Sequence, residues 1–312
     1  MAKTEELPAI IARAIERPVA AAVGEVARRL ARRLGGVNAV LFYGSCLRTG
    51  LIAGQMLDFY LIVDDYHEAY RRRLLALANR LLPPNVFYFE ADIDGVRVRA
   101  KYAVLSSAQL LRLCSARTFS PALWARFAQP IALVYARDEA ARAGVIAALS
   151  TAPTTLLATT TRLALRRLSP RDLWRHAFAL TYATEFRAER ADRPAALYDL
   201  EADFYNAITL PALGQAGISV RQRADGALDL GPGGGTVRAR LAWLARRLQG
   251  RTLHILRLMK AAATFDGGID YLAWKIERHS GVVLAIKPWH RRHPVVAGLL
   301  WLPRLKGRGA IR

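Results

Sequence analysis

Apolar and polar positions divide the chain into short continuous apolar runs separated by stretches of helical periodicity. Residues 8–34 carry apolar positions at helical spacing and end at Gly35-Gly36, which predicts one or two amphipathic helices with a glycine stop. Ala39-Val40-Leu41-Phe42-Tyr43 is an apolar run bounded by glycine on both sides, the pattern of a buried strand. Met56 to Val63 is apolar except for Asp58 and predicts a second buried strand, ended by Asp64-Asp65. Residues 66–82 read as a helix stopped by Pro83-Pro84. Val86 to Phe89 predicts a third strand, Asp94-Gly95 a tight turn, and residues 96–105 a fourth strand. Helices over 107–116 and 120–127, a strand over 131–135 and a helix over 137–149 complete an α/β unit ending near residue 150.

The pattern changes after that point. Residues 155–215 are mostly helical, with Ser169-Pro170 as a helix start. Gly231-Pro232-Gly233-Gly234-Gly235 does not sit between a strand and a helix in a Walker arrangement, so it reads as a connection rather than a phosphate loop. A basic helix follows over 236–263. Three segments result: an α/β domain over 1–150, a helical domain over 151–265 and a basic amphipathic tail over 266–312. A chain of 312 residues accommodates two domains and a tail. No run approaches the roughly 20 apolar residues that a spanning helix needs.

Charge adds a partner class. Lys and Arg total 46 against 25 Asp and Glu, a formal net charge of +21, and only six of the cations are lysines. Arginine binds phosphate through two parallel donors, so the balance points to nucleic acid or an acidic membrane surface. An arginine-rich coding bias accounts for the same excess. Cys46 and Cys114 are too few for a disulfide framework and fit a reducing compartment. The N-terminal stretch carries Glu5, Glu6 and Glu16 and lacks a signal-peptide core, so the expected location is cytoplasmic, peripheral on the inner face of a membrane.

Chemistry concentrates where Leu41-Phe42-Tyr43 runs into Gly44-Ser45, followed by Asp58 within the next apolar strand. Glycine lets backbone approach a ligand closely, the serine starts a turn whose N–H groups can hold a triphosphate, and a strand carboxylate beside it can hold Mg²⁺ or another divalent cation. A strand aspartate that merely bonds a loop gives the same pattern. The layout resembles that of the nucleotidyltransferase superfamily, a polymerase-beta-like fold. Many of its members carry a second acid two residues after the first, where this chain has Tyr60. Asp64, Asp65, Glu90 and Asp92 are the candidates by position for a second metal ligand.

Further segments carry a narrower likeness. Tyr43-Gly44-Ser45, Met56-Leu57-Asp58-Phe59, Val63-Asp64-Asp65, Pro84-Asn85-Val86, Lys101-Tyr102-Ala103-Val104-Leu105-Ser106, Ala125-Arg126-Phe127-Ala128-Gln129-Pro130 and Leu180-Thr181-Tyr182-Ala183-Thr184-Glu185-Phe186-Arg187 occur in one order across residues 38–210. In them the chain resembles the mitochondrial-type phosphatidate cytidylyltransferases, also called translocator assembly and maintenance proteins. It departs from that family at Cys46 and Ala125, where glycine is usual, at Gln129, where lysine is usual, and at Glu185, where aspartate is usual. The resemblance implies that CTP and phosphatidic acid react to give CDP-diacylglycerol and pyrophosphate, with Asp58 on the metal and Lys101 on a phosphate. It also implies that Tyr43, Gly44, Ser45 and Arg126 hold the nucleotide and that Tyr182, Glu185 and Arg187 line the cleft; a Glu-Arg pair between helices is the plainer reading of the last two.

His279, His290 and His293 match no zinc spacing. In the tail, Trp289 and Trp301 alternate with Arg291, Arg292, Arg304, Lys306 and Arg308, the composition of an interfacial segment that contacts an anionic bilayer. Two alternatives stay open: a nucleotidyltransferase acting on another acceptor, and a basic nucleic-acid-binding protein with a degenerate catalytic site. No ordered RNA-recognition motif supports the latter, and no nucleic-acid partner is expected.

Overall fold

The computed structural model describes residues 5–163, 166–184, 193–231, 237–264 and 285–292. The fold is mixed α/β. Its centre is a five-stranded sheet of β1 (Val37–Tyr43), β2 (Met56–Val63), β3 (Asn85–Ile93), β4 (Val96–Ser106) and β5 (Ala132–Ala136), in the order β3-β4-β2-β1-β5. β2 and β4 are parallel and the other pairs antiparallel. Asp94 and Gly95, both at positive φ (54° and 77°), close the β3–β4 hairpin as the Asp-Gly pair predicts.

Both sheet faces are buried, which is why β1 and β2 read as unbroken apolar runs rather than alternations. Phe42, Phe59, Leu61, Val104, Phe87 and Phe89 face one side, under α2 (Ala21–Ala31) and the pair α4 (Tyr66–Ala69) and α5 (Arg73–Leu81). Leu41, Tyr43, Tyr60, Ile62, Ala103 and Leu105 face the other, under α1 (Leu7–Ala14), α6 (Ser107–Cys114), α7 (Ala122–Phe127) and α8 (Glu139–Thr160). That second core continues through α9 (Pro170–Tyr182) and α11 (Ala202–Gln215), where Trp174, Phe178 and Tyr205 pack ring on ring. Between these two helices lies α10 (Arg193–Asp199).

Several elements differ from expectation. The helix over 66–82 is broken, because Tyr70 adopts extended geometry to pack on Phe87 and its hydroxyl accepts from the buried Asn79 amide at 3.1 Å. The helix over 137–149 continues as α8 to Thr160, so the division drawn at residue 150 falls inside one helix that joins the sheet to α9 and α11. With the 3₁₀ turn Thr161–Leu163, α8 is a 25-residue segment containing an 18-residue window of mean hydropathy 1.3, long and apolar enough to cross a membrane by those measures, where no such run was expected. More than half of that window is buried, and α8 packs against α1, α6, α7, α9 and α11; a helix packed on most sides is apolar on most sides.

A second sheet, β6 (Arg167–Leu168), β7 (Val220–Gln222) and β8 (Leu228–Leu230) in the order β6-β8-β7, went unpredicted because two- and three-residue strands carry no usable alternation. The basic helix forms α12 (Val237–Thr264). Residues 232–236 of the glycine-rich segment lie outside the described residues, as does the tail except for 285–292, where Pro288–Arg292 is a short helix with Trp289 exposed and His290 buried.

Candidate functional site

Strand register aligns the candidate residues. Tyr43 of β1 faces Asp58 of β2, Asp58 faces Lys101 of β4, and Lys101 faces Tyr88 of β3, a single row across four strands. Side chains two residues apart on a strand share a face. Asp58 and Lys101 are therefore on the face of Tyr60 and Ala103, at the edge of the helix-covered core. One end of that face is polar and the rest apolar.

Gly44 follows β1 directly, at φ +93° and ψ −161°, a region essentially restricted to glycine. A Cβ there would lie 2.7 Å from Asp58 Oδ2 and 3.3 Å from Asp58 Cβ. The glycine is what lets the β1 backbone pass this close to the carboxylate. It leads into α3 (Ser45–Thr49), with Ser45 itself exposed.

Lys101 Nζ lies 3.0 Å from Asp58 Oδ1, with the lysine side chain 38% and the aspartate side chain 17% exposed. Oδ1 is nevertheless buried without an aligned hydrogen-bond donor, so the contact is one of charge and proximity. The distance establishes attraction between the groups; the missing alignment leaves the oxygen with unused acceptor capacity. Screening at a half-exposed lysine keeps such a pair weak enough to exchange partners.

Arg126 of α7 places its guanidinium carbon 5.3 Å from the Tyr43 ring centroid. Tyr43 also packs on Tyr60 at 4.9 Å, and Tyr60 on Phe127 at 4.8 Å. Burial raises the Tyr43 phenol well above its usual value; Tyr60 and Asp58 add to the rise and Arg126 opposes it. Tyr43 is thus a neutral group near neutral pH. Tyr60, at the position where a second acid was sought, is buried in this aromatic stack.

The candidates for a second carboxylate separate. Asp64 bonds Asn38 and Arg137 at the far end of β2, about 20 Å along the strand from Asp58 at ~3.3 Å per residue. Asp65 caps α4 by accepting from His67 N at 2.6 Å. Asp92 accepts from Gly95 N in the hairpin. Glu90, on the face and at the end of Asp58 and nearer to it than Asp92, is engaged by Tyr88, Arg97 and Arg99. Asp64, Asp65 and Asp92 are therefore structural. Among the described residues no three of His, Cys, Asp and Glu cluster as a metal site. Asp58 still fits Mg²⁺, a hard cation that is commonly held by one or two carboxylates plus substrate phosphates and water.

Tyr182 ends α9 half-buried, and Glu185 and Arg187 lie outside the described residues. The Tyr205 hydroxyl is buried without a partner and lies within the electrostatic reach of Arg48, Glu201 and Tyr182. Arg48 of α3 thus lies within electrostatic reach of α11, and only its place three residues after Ser45 could have marked it. Cys46 is buried, with Sγ 3.4 Å from Met56 O, and Gln129 turns inward to donate to Ala125 O at 3.2 Å. Compared with known proteins, this chain matches no protein-family model and no curated protein.

Proposed function

We propose that the protein is a Mg²⁺-dependent CTP:phosphatidate cytidylyltransferase with a nucleotidyltransferase-type sheet domain, peripheral on the cytoplasmic face of an anionic membrane. The observation that carries this reading is the Gly44–Asp58–Lys101 arrangement. A backbone corner accessible only to glycine lies against a carboxylate whose buried oxygen lacks an aligned hydrogen-bond donor, and a lysine ammonium stands beside that oxygen. The ordered segments shared with the mitochondrial-type cytidylyltransferases narrow the reading from nucleotidyl transfer to phosphatidate.

In the reaction, a phosphate oxygen of phosphatidate attacks the α-phosphorus of CTP and the bond to pyrophosphate breaks. The acceptor is already an anion, so no side-chain nucleophile is required, and catalysis rests on positioning and charge neutralisation. A divalent cation, when bound, supplies Lewis-acid neutralisation of phosphate charge, with Asp58 as its protein ligand. Lys101 supplies a positive charge to a phosphate once it leaves Asp58. Arg126 presents a guanidinium beside Tyr43, and Ser45, exposed where α3 starts, is the part of the Gly44-Ser45 corner that the triphosphate would meet.

One observation favours a second reading. The net charge of +21, with no cluster of three His, Cys, Asp or Glu around Asp58 among the described residues, suits a nucleic-acid-binding protein that has lost catalysis. Incubating the full chain with labelled CTP, Mg²⁺ and phosphatidate vesicles separates the two. CDP-diacylglycerol that disappears in Asp58→Asn supports the cytidylyltransferase. Salt-sensitive RNA binding without lipid product supports the alternative.

A further inference from the structure

Helix α12 is turned around relative to an ordinary surface helix. Its polar side chains hold it to the body. Arg246 Nε donates to Phe119 O at 3.1 Å, Arg257 Nε to Pro83 O at 3.0 Å, and Lys260 Nζ to Pro84 O at 2.8 Å and to Leu82 O. Trp243 packs edge-on to Trp124, and Gly250 lies directly on the Thr184 carbonyl. Trp243 and Ala239 are buried, but most of its described aliphatic side chains point outward. Val237, Leu241, Leu244, Leu248 and Ile255 are exposed, the first four by more than half. At 3.6 residues per turn these five fall within an arc of about 60° and run about 27 Å along the axis.

Arg240, Arg247 and Arg251 flank that stripe on one side and Arg238 on the other, and all four are exposed. The helix contains six arginines and one lysine and no acid. The same arrangement recurs on α5, where Leu74, Leu77 and Leu81 are exposed beside Arg73 and Arg80. The two helices meet where Arg257 and Lys260 grip the carbonyls of residues 82–84, just past the end of α5. Of the fifteen large exposed apolar side chains among the described residues, three are on α5 and six on α12.

We infer that the outward faces of α12 and α5 form a docking surface for an anionic lipid bilayer. An apolar stripe bordered by arginine matches an interface whose acyl region lies beneath anionic headgroups. The spacing of four, three and four from Val237 through Leu241 and Leu244 to Leu248 would also suit a second copy of the helix, but arginines would then face arginines along the seam. Charge complementarity selects the bilayer. The inference rests on the proposed function in that a lipid substrate calls for a membrane, but it assigns the contact to α12 and α5 rather than to the tail. It is read by binding, without turnover.

The test uses the full chain carrying Leu241→Gln, Leu244→Gln and Leu248→Gln together, floated with phosphatidylcholine vesicles with or without phosphatidate. Wild type should float with the anionic vesicles alone. The triple variant should lose at least about tenfold in binding while melting as wild type does and turning over short-chain soluble phosphatidate unchanged. Leu244→Cys, labelled with an environment-sensitive dye while the buried Cys46 and Cys114 stay unreacted, should blue-shift on anionic vesicles and not on neutral ones. Undiminished flotation of the triple variant, or co-flotation without a dye response, overturns the inference. So does a triple variant that fails to fold together with a Leu244→Cys site that resists labelling, since the stripe is then covered by the chain itself. A dimer that the substitutions convert to a monomer without changing flotation assigns the stripe to a second copy. Loss of lipid product with flotation intact would instead count against the proposed reaction alone.

Discussion

Gly44→Ala tests the corner on which the candidate site is built. Two separate costs follow from the geometry. The backbone conformation (φ +93°, ψ −161°) is one that alanine adopts only under strain, about 1–3 kcal/mol. The new Cβ would also stand 2.7 Å from Asp58 Oδ2 and must push the carboxylate or the β1 backbone aside, about 1–3 kcal/mol more. The sum, about 2–6 kcal/mol, is a large share of the roughly 5–15 kcal/mol that holds a typical domain folded. Gly50→Ala separates the terms. Gly50 also has positive φ (70°), but a Cβ there meets nothing within 4 Å, so only left-handed strain of about 1–2 kcal/mol remains. Urea unfolding followed by circular dichroism gives both values. A double-mutant cycle with Asp58→Ala then isolates the overlap, because removing Oδ2 relieves the close contact while the lysine left behind affects both backgrounds equally. A favourable coupling of about 1–2 kcal/mol is expected. Gly44→Ala no more costly than Gly50→Ala, or strict additivity with Asp58→Ala, would refute the close approach.

Asp58→Asn keeps volume and removes charge, so it should nearly abolish cytidylyl transfer with an unchanged melting curve, and EDTA should do the same to wild type; activity within a few-fold of wild type sinks the metal assignment. Lys101→Ala should lower kcat/KM by at least tenfold, about 1.4 kcal/mol, and unchanged kinetics would make Lys101 only a partner of Asp58. Burial, with Arg257 nearby, lowers Lys260 from its usual 10.5 to about 8. Above pH 8 the folded state releases this proton while the unfolded state keeps it until near 10.5, so the unfolded state binds more protons across that window. Folding stability should therefore rise from this group between those values. Unfolding of wild type and Lys260→Met across the window checks it, and an identical pH dependence in the two would refute it.

Much of this architecture was legible along the chain because it is local. Strand β2 needs no partner to be recognised, since eight residues broken only by Asp58 have no other economical burial. The Asp94-Gly95 hairpin follows from the positive φ its two residues tolerate. Ser169 caps α9 because its hydroxyl can reach the amide of Asp172. Gly44, Ser45 and Asp58 stood out because a glycine-serine corner and an isolated acid are conspicuous among apolar neighbours.

Other features were decided only by tertiary packing. Register between β2 and β4 brought Lys101 to Asp58, and register between β4 and β3 put Tyr88 beside Lys101, neighbours that counting along the chain does not reveal. Helix α8 runs through residue 150 because neighbours on most sides bury it, whatever its own periodicity marks as a boundary. The direction of α12 is the clearest case. Periodicity locates an apolar stripe on that helix but carries no information about which side meets the body. Here carbonyls at Phe119 and at residues 82–84 offered acceptors to inward arginine and lysine, and the leucines were left to face outward.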